Sequence, residues 1–445
     1  MSTPDISIMS STENLLKLSK ESFSAPVAQC DENFEHSDVP DWLTKDYLEH
    51  YLRAYHQDRK LKILRWNIRP ALGKGENYGG VLTRIRADYQ TSMGTVATGH
   101  YIVKTSFESD EFVQKTMEPY DIFNREMSVY EKVLPRLNEL LREIDDNEQI
   151  FAETLAVDRE RSALIFEDLN VREFIMPNRL AGLDMTLAKM VLRKLAKMHA
   201  TSAVLNEREN GCLEGYDRGF FNRHTDNYMP GFEQLLMACS RRVRQWEDYE
   251  LYAEKITNLK SNYTELGKRV FDPNPSHVNV LTHGDLWTNN VMVKYDKITG
   301  EPVDVIIIDF QYAVWGSPAI DLHYFLNTSL EEDMHLHRQD ELIQCYYQTF
   351  ADTLCKLRYR AEIPSLHKFH LQLEEKAFYA FNSTCVILAI QRNEETEDAD
   401  FKAIMQDDER ATRFKDTCFK NMYVQRVIKK LLPIYERRGL LEVEQ

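Results

Sequence analysis

Long apolar runs are missing from this 445-residue sequence. The longest charge-free apolar stretch, residues 377–391, is interrupted by Asn382, Ser383 and Thr384. It falls short of the roughly 18 to 20 residues that cross a bilayer, so no membrane span is expected. The opening residues MSTPDISIMSSTENLLKLSK contain no basic stretch leading into an apolar core. No secretory signal is therefore expected, and a soluble cytoplasmic protein is the default. Cysteine is sparse: seven residues, at 30, 212, 239, 345, 355, 385 and 418, with no C-x-x-C spacing. An odd set so spaced reads as buried or free thiols in a reducing compartment.

Glycine and proline are also few, 16 and 14, and there is neither an internal repeat nor a Pro/Ser-rich linker. With 43% hydrophobic and 11% aromatic residues, the chain is not disordered or collagenous and can bury a large core. Its length suggests two structural units or one elaborated domain. Basic residues are outnumbered, 55 Lys+Arg against 71 Asp+Glu, for a net charge of −16. Such a field repels phosphate backbones and anionic lipid, so neither nucleic acid nor a membrane is expected as a partner. A small phosphorylated ligand is not excluded, because a pocket can be locally positive or bridged by metal. No G-x-S-x-G elbow or H-E-x-x-H helix occurs, so hydrolase chemistry has no motif behind it.

Residues 1–38, rich in Ser, Glu and Asp, read as a mobile tail. Order is expected from Pro40, with Asp41 capping a helix whose apolar face is Leu43, Tyr47, Leu48, Tyr51, Leu52 and Tyr55. Strands are predicted at 81–86, 101–104 and 162–166, and a hairpin from 290–295 and 303–309 around a turn-like 296–302. Helix is predicted over 111–141, with breaks near Pro119 and Pro135, over 186–204, and from Leu322 onward apart from an acidic loop at 394–400. The order is strand-rich first and helix-rich later, an α+β pattern.

The most informative segment is Leu281-Thr282-His283-Gly284-Asp285-Leu286-Trp287-Thr288-Asn289-Asn290. An Asp opening a short loop, with an Asn five residues on, is the layout a phosphotransfer loop needs. Asp285 can accept the acceptor hydroxyl's proton and orient its oxygen, while Asn290 returns to the same site as a Mg²⁺ ligand. Nineteen residues after Asn290, the run Ile306-Ile307-Ile308 delivers Asp309, a hard oxygen ligand at a strand end. Each fragment alone is more often structural; their combination across a hairpin carries the reading. His283 reads as a packed, hydrogen-bonded loop residue rather than a proton carrier.

Upstream, Gly73-Lys74-Gly75-Glu76-Asn77-Tyr78-Gly79-Gly80 precedes a strand, and glycines there let backbone N–H groups approach phosphate oxygens. The segment is no Walker A loop, since Gly75 follows Lys74 where Ser or Thr is required, and a plain hairpin turn is the alternative. Lys104, inside a strand, reads as a contact to the α- and β-phosphates held by Glu126 on the next helix. A solvent-facing lysine and a surface glutamate are the bland version. Leu164-Ile165-Phe166-Glu167-Asp168-Leu169 then reads as a connection whose backbone groups meet the adenine edge.

In this order the segments resemble the small-molecule branch of the protein kinase-like fold, alongside choline kinases and aminoglycoside phosphotransferases. Within that branch the chain resembles the insect ecdysteroid kinase-like family. The resemblance covers residues 40–435 and rests on Gly-Glu-Asn-Tyr (75–78), Phe-x-x-Glu-x-x-x-Tyr (123–130), Phe-Glu-Asp-Leu (166–169), Leu-Ala-Lys-Met-His-Ala (195–200), His-Gly-Asp-Leu-Trp-x-Asn-Asn (283–290), Asp-Phe-Gln (309–311) and Trp-Gly-Ser-Pro-Ala-Ile-Asp-Leu (315–322). It implies an α+β, bilobal protein kinase-like fold: a small strand-rich N-lobe (39–166) and a larger, mainly helical C-lobe (167–435), between tails 1–38 and 436–445. It implies ATP and Mg²⁺ as cofactors, Asp285 as the catalytic aspartate, and Asn290 and Asp309 as metal ligands. Gly73, Gly75, Asn77, Gly79, Lys104, Glu126, Glu167 and Leu169 fall on the nucleotide side, and Asp321 anchors the loop from a following helix. Gln311 stands where protein kinases carry Gly, as is usual in this family.

The activity implied is transfer of the γ-phosphate to a hydroxyl of a small molecule, an ecdysteroid or a related steroid or xenobiotic alcohol, with no protein substrate. A choline- or amine-type kinase and a nucleotide-binding pseudokinase scaffold are the alternatives. Trp287, Tyr312, Trp315, Tyr324 and Phe325 could wall an apolar acceptor pocket, although aromatics at such spacings are more often core.

Overall fold

A computed structural model describes residues 39–71, 80–106, 111–224, 226, 229–395 and 401–442. Those from Trp42 onward belong to one unit. The tail expected at 1–38, the glycines and Asn77 of 73–79, and residues 396–400 of the acidic loop lie outside the described residues.

The first helix, α1 (Lys45–Tyr55), buries Leu48 and Leu52 as its apolar spacing predicts. Its cap, however, is Thr44 and not Asp41: Thr44 Oγ1 accepts the Tyr47 N–H at 3.3 Å from an extended backbone. A five-stranded antiparallel sheet follows, β1 (Lys62–Pro70), β2 (Val81–Gln90), β3 (Val96–Thr105), β4 (Thr154–Asp158) and β5 (Ala163–Glu167), in the spatial order β1-β2-β3-β5-β4. In β2 the buried positions Thr83, Ile85, Ala87 and Tyr89 alternate with outward ones, the period-2 signature. Register sets Lys104 opposite Leu82 on one side and Leu164 on the other, so it sits in the middle of the sheet.

The segment predicted as one broken helix is a series. Glu111–Met117 leads into a 3₁₀ turn at Glu118–Tyr120, then α2 (Ile122–Ser128), a π-helical turn at Val129–Val133 and α3 (Leu134–Glu143). Pro119 marks a break as expected. Near Pro135 the regular helix is interrupted as well, by the π turn that ends one residue before Leu134-Pro135.

Beyond β5 the chain is mainly helical. Helix α4 (Met185–Arg208) is capped by Asp184, whose Oδ1 accepts the Leu187 N–H at 2.8 Å, and it is buried along much of its length. The predicted hairpin is present as β8 (Val291–Tyr295) and β9 (Pro302–Ile307), joined by β6 (Phe174–Ile175) in a three-stranded sheet. Beside it β7 (Val280–Thr282) pairs with β10 (Val314–Gly316). Asp309 lies past the end of β9 rather than within it, at φ 69°, a left-handed conformation uncommon for a residue other than glycine. Helix α5 (Ala319–Thr328) is buried on every face. The apolar stretch noted above is helix as well, Phe378–Asn382, a π turn at Ser383–Ile387, then Leu388–Gln391, and it runs through the core. No helix among the described residues is long and apolar enough to cross a membrane. All six described cysteines are free thiols. The architecture is the α+β class expected, with an antiparallel sheet in the N-terminal part and a mainly helical C-terminal part.

Candidate active site

The loop after β7 is held from three directions. Gly284 has φ +81°, and a Cβ there would stand 2.0 Å from the Tyr312 carbonyl oxygen, so only glycine fits. Asp321, in the first turn of α5 and fully buried, accepts the backbone N–H of His283 at 2.6 Å and of Gly284 at 2.8 Å. The same carboxylate takes His199 Nε2–H from α4 at 2.9 Å, and His199 Nδ1 accepts the Tyr346 hydroxyl at 2.7 Å. His283 Nε2 lies 2.8 Å from the Ile308 carbonyl, which can only accept, so the ring proton is on Nε2. Its Nδ1 then accepts the Asp285 N–H at 3.3 Å. Burial holds the His283 pKa below its ordinary value, consistent with this neutral, cross-linking ring.

Asp285 is buried at the end of this scaffold. Its Oδ1 accepts the Tyr324 hydroxyl at 2.6 Å. Asn290 Nδ2 donates to the Asp285 backbone carbonyl at 2.8 Å and, more weakly, to Oδ2 at 3.3 Å. Burial pushes the carboxyl up to about 8; the nearby charge of Asp309 adds to the rise, while the Tyr324 and Asn290 hydrogen bonds oppose it.

Lys104 joins the sheet to this region. Its Nζ is 2.9 and 2.8 Å from Glu126 Oε1 and Oε2, and 2.9 Å from Asp309 Oδ1. The Asp309 N–H donates to the Tyr130 hydroxyl at 3.2 Å. Burial alone would lower the lysine's pKa, but the two carboxylates outweigh it and the net shift is upward. Glu126 is pushed up to about 7, first by burial and then by Asp309, against the pull of Lys104. For the Lys104–Glu126 pair these shifts oppose each other, the first favouring the ion pair and the second weakening it. Three contacts within 2.9 Å decide for a charged lysine, and the rise at Glu126 reflects its burial first and then the second carboxylate sharing the same cation.

The Glu167 carboxylate is committed locally: Oε1 accepts Gln149 Nε2 at 2.7 Å and the Glu153 N–H at 2.9 Å, and Oε2 accepts Arg172 Nη1 at 2.8 Å. Its backbone N–H is committed too, donating to the Glu153 carbonyl at 3.0 Å. Leu169 is buried at the start of a 3₁₀ turn capped by Asp168, whose Oδ2 is 2.7 Å from Arg84 Nε on β2.

The expected aromatic wall divides. Tyr312 stacks on Phe220 at 4.2 Å between centroids, Phe220 stacks on Tyr324 at 6.0 Å, and Tyr324 on Tyr379 at 6.0 Å, a stack tied to Asp285 through the Tyr324 hydroxyl. Trp287 is half-buried beside this layer. Phe325 and Trp315 instead pack in the core that contains α4. Phe220, Tyr379 and Gln391, whose Nε2 donates to the Tyr324 oxygen at 3.1 Å, were not foreseen. Tyr324 had a local signal, standing one helical turn after Asp321 on α5.

The donor chemistry here fits Mg²⁺. Asn290 turns its Nδ2 toward Asp285, which leaves its amide oxygen facing away, and Asp309 offers a carboxylate about one-quarter exposed. Among the described residues no group of three or more His, Cys, Asp or Glu could hold a metal. Two hard oxygen donors suit Mg²⁺, which is commonly held by one or two side chains together with phosphate oxygens.

No curated protein matches the chain closely enough to count as a relative. Among solved structures, Plasmodium vivax ethanolamine kinase is similar at 12% identity and a TM-score of 0.41, over 98% of each chain. The model of the ecdysteroid kinase-like family matches residues 74–359, and the chain belongs to that family.

Proposed function

We propose that the protein transfers the γ-phosphate of ATP to a hydroxyl of a small molecule, an ecdysteroid or a related steroid or xenobiotic alcohol. Family membership supports a small-molecule kinase. The single observation that carries the finer reading is the meeting of Lys104, Glu126 and Asp309 at one point, close enough to Asp285 for Asp309 to act on it electrostatically.

In this reading Lys104, steadied by Glu126, binds the α- and β-phosphates, with the backbone of Gly73, Gly75, Asn77 and Gly79 over the phosphates and that of Glu167 and Leu169 at the adenine. The acceptor hydroxyl lies against Asp285. Its oxygen forms the new bond to the γ-phosphorus, the bond from that phosphorus to the β–γ bridging oxygen breaks, and the hydroxyl proton passes to the Asp285 carboxylate as ADP leaves. Asn290 and Asp309 would hold Mg²⁺, which when bound neutralises phosphate charge. Residues 39–166 and 167–435 would then be the two lobes of one cleft. The free thiols accord with a cytoplasmic enzyme. The acceptor class rests on the family, since the rings of Phe220, Tyr312, Tyr324 and Tyr379 are buried in the core.

The test is ADP release by the purified protein with Mg-ATP and a panel of ecdysteroids, plant alcohols, choline, ethanolamine and sugars. Acceptor-dependent release is expected with an alcohol, and its loss in Asp285→Asn, with nucleotide-induced thermal stabilisation retained. Wild-type turnover by Asp285→Asn would refute the assignment. Preference for choline would move the acceptor class, and stabilisation by Mg-ATP without turnover would make the protein a scaffold.

A further inference from the structure

One turn of α5 presents two side chains to the loop at 283–285. Asp321 grips the backbone of His283 and Gly284, and Tyr324, three residues on, grips the side chain of Asp285. Behind Tyr324 stands Gln391, whose Nε2–H donates to the phenol oxygen at 3.1 Å. With that oxygen already accepting from Gln391, the phenol proton is directed at Asp285 Oδ1, 2.6 Å away. Among the described residues, Asp285 Oδ2 keeps only the 3.3 Å contact with Asn290.

We propose that Gln391 and Tyr324 form a positioning relay for phosphoryl transfer. They fix the plane of the Asp285 carboxylate and occupy Oδ1, so that Oδ2 is the oxygen that receives the acceptor's proton. The inference rests on the role given to Asp285 above and assigns it a geometry that the role alone does not require.

Three features set the relay apart from core packing. Tyr324 is 2% exposed inside a stack of Phe220 and Tyr379, where phenylalanine would fill the same space without a hydroxyl to satisfy. Gln391 is also buried, and among the described residues its Oε1 has no hydrogen-bond partner and its side chain makes one hydrogen bond, to Tyr324. The π turn at Ser383–Ile387 adds a residue to the helix before Gln391. That insertion rotates Leu388–Gln391 by about 100° relative to an unbroken α-helix, and the observed bond to Tyr324 belongs to the rotated register.

The experiment is steady-state hydrolysis of Mg-ATP with water as acceptor, which requires no knowledge of the alcohol. Tyr324→Phe keeps the ring stack and removes only the hydroxyl. Its kcat is expected to fall about 10- to 100-fold, with KM for ATP unchanged within about twofold and the melting temperature close to wild type. In an Asp285→Asn background the same substitution is expected to have no further effect on kcat, because its influence passes through the carboxylate. Gln391→Met, which leaves Tyr324 in place and keeps chain length, is expected to lower kcat several-fold at unchanged KM, and it tests the relay even if Tyr324→Phe folds poorly. A wild-type kcat in both variants, or an equal fold-loss from Tyr324→Phe in both backgrounds, would overturn the relay while leaving the kinase reading intact. Full activity in Asp285→Asn, or no hydrolysis by the wild type, would overturn the kinase reading and the relay with it.

Discussion

Asp321 offers the sharpest test of how the loop is held, because it contacts loop backbone and His199 while leaving the reacting groups untouched. Its two oxygens serve three buried N–H donors, those of His283, Gly284 and His199. Asp321→Asn preserves shape but converts one acceptor into a donor. With the amide oxygen in the Oδ2 place, the Gly284 N–H loses its partner and faces the new NH₂. With the amide turned over, the His283 N–H is orphaned and His199 must adopt its other tautomer. Either way one or two buried donors stay unpaired at about 1 to 3 kcal/mol each, for a total loss of about 1 to 6 kcal/mol. That is a large part of the 5 to 15 kcal/mol typical of a domain. Turnover should also drop about 10²-fold if the loop moves by roughly 1 Å. Equilibrium denaturation followed by circular dichroism reads the first effect, and kcat at a temperature where both proteins stay folded reads the second. A stability change below about 1 kcal/mol with wild-type kcat would refute the reasoning, since buried donors would then cost nothing to leave unpaired.

Gly284→Ala should lose soluble protein or turnover, because its Cβ would meet the Tyr312 carbonyl at 2.0 Å. Gly94→Ala, at a similar φ of +83° but with open space around it, should cost only about 1 to 2 kcal/mol. Comparable melting temperatures for the two variants would show that the clash is not real. The protein should also lose stability in acid through His323, whose Nε2–H donates to the Leu373 carbonyl at 2.8 Å and whose pKa burial pushes down to about 4. Since the folded value lies below the ordinary one of about 6.5, its contribution is complete above that pH and is lost as pH falls through about 4, for about 3 kcal/mol in all. His323→Gln should flatten the stability-versus-pH curve across that window, and an unchanged slope would show that the ring does not stay neutral.

What could be read in advance was what lay close in the chain or repeated with a clean period. Asp285 and Asn290 are five residues apart, and their contact is local to one loop. β2 showed its alternation, while β1, an edge strand whose residues are mostly exposed or half-buried, gave no period to read. The Lys104–Glu126 pair, 22 residues apart, follows once the phosphotransfer loop is recognised, but the contact from Lys104 to Asp309, 205 residues away, does not, because neither propensity nor spacing reports a contact between a sheet and a distant loop. The Asp41 cap failed for a related reason. Asp41 and Thr44 are both good caps, and their local sequence does not choose between them.

The aromatic residues mark the limit more clearly. Tyr324 and Phe325 are neighbours on α5, one bonded to Asp285 and the other packed in the core, yet every residue of that helix is buried. A helix without an exposed face has no amphipathic phase, so its sequence cannot say which side meets the site. Gln391 is harder still, since its bond to Tyr324 belongs to a helix register altered by a π turn that no residue pattern announced. The parts of the site that lie deepest are thus the least legible.

In the proposed reading, the same depth constrains how the site takes a nucleotide. Lys104 faces Glu126 and Asp309, so among the described residues the cluster sets one cation against two carboxylates, with Asp285, whose charged form burial disfavours, near enough to feel Asp309. Burial strengthens every one of these interactions and makes an unbalanced charge expensive. A triphosphate entering such a place adds to the negative side, as does the overall net charge of −16. In the proposed reading, a divalent cation arriving with the nucleotide is therefore an electrostatic requirement of these side chains, over and above its part in the chemistry. Glu126 is the carboxylate that burial, and then Asp309, push toward the neutral form. Drawing Asp309 toward a metal would relieve the second push, and would leave Lys104 paired with Glu126 and free to turn toward phosphate.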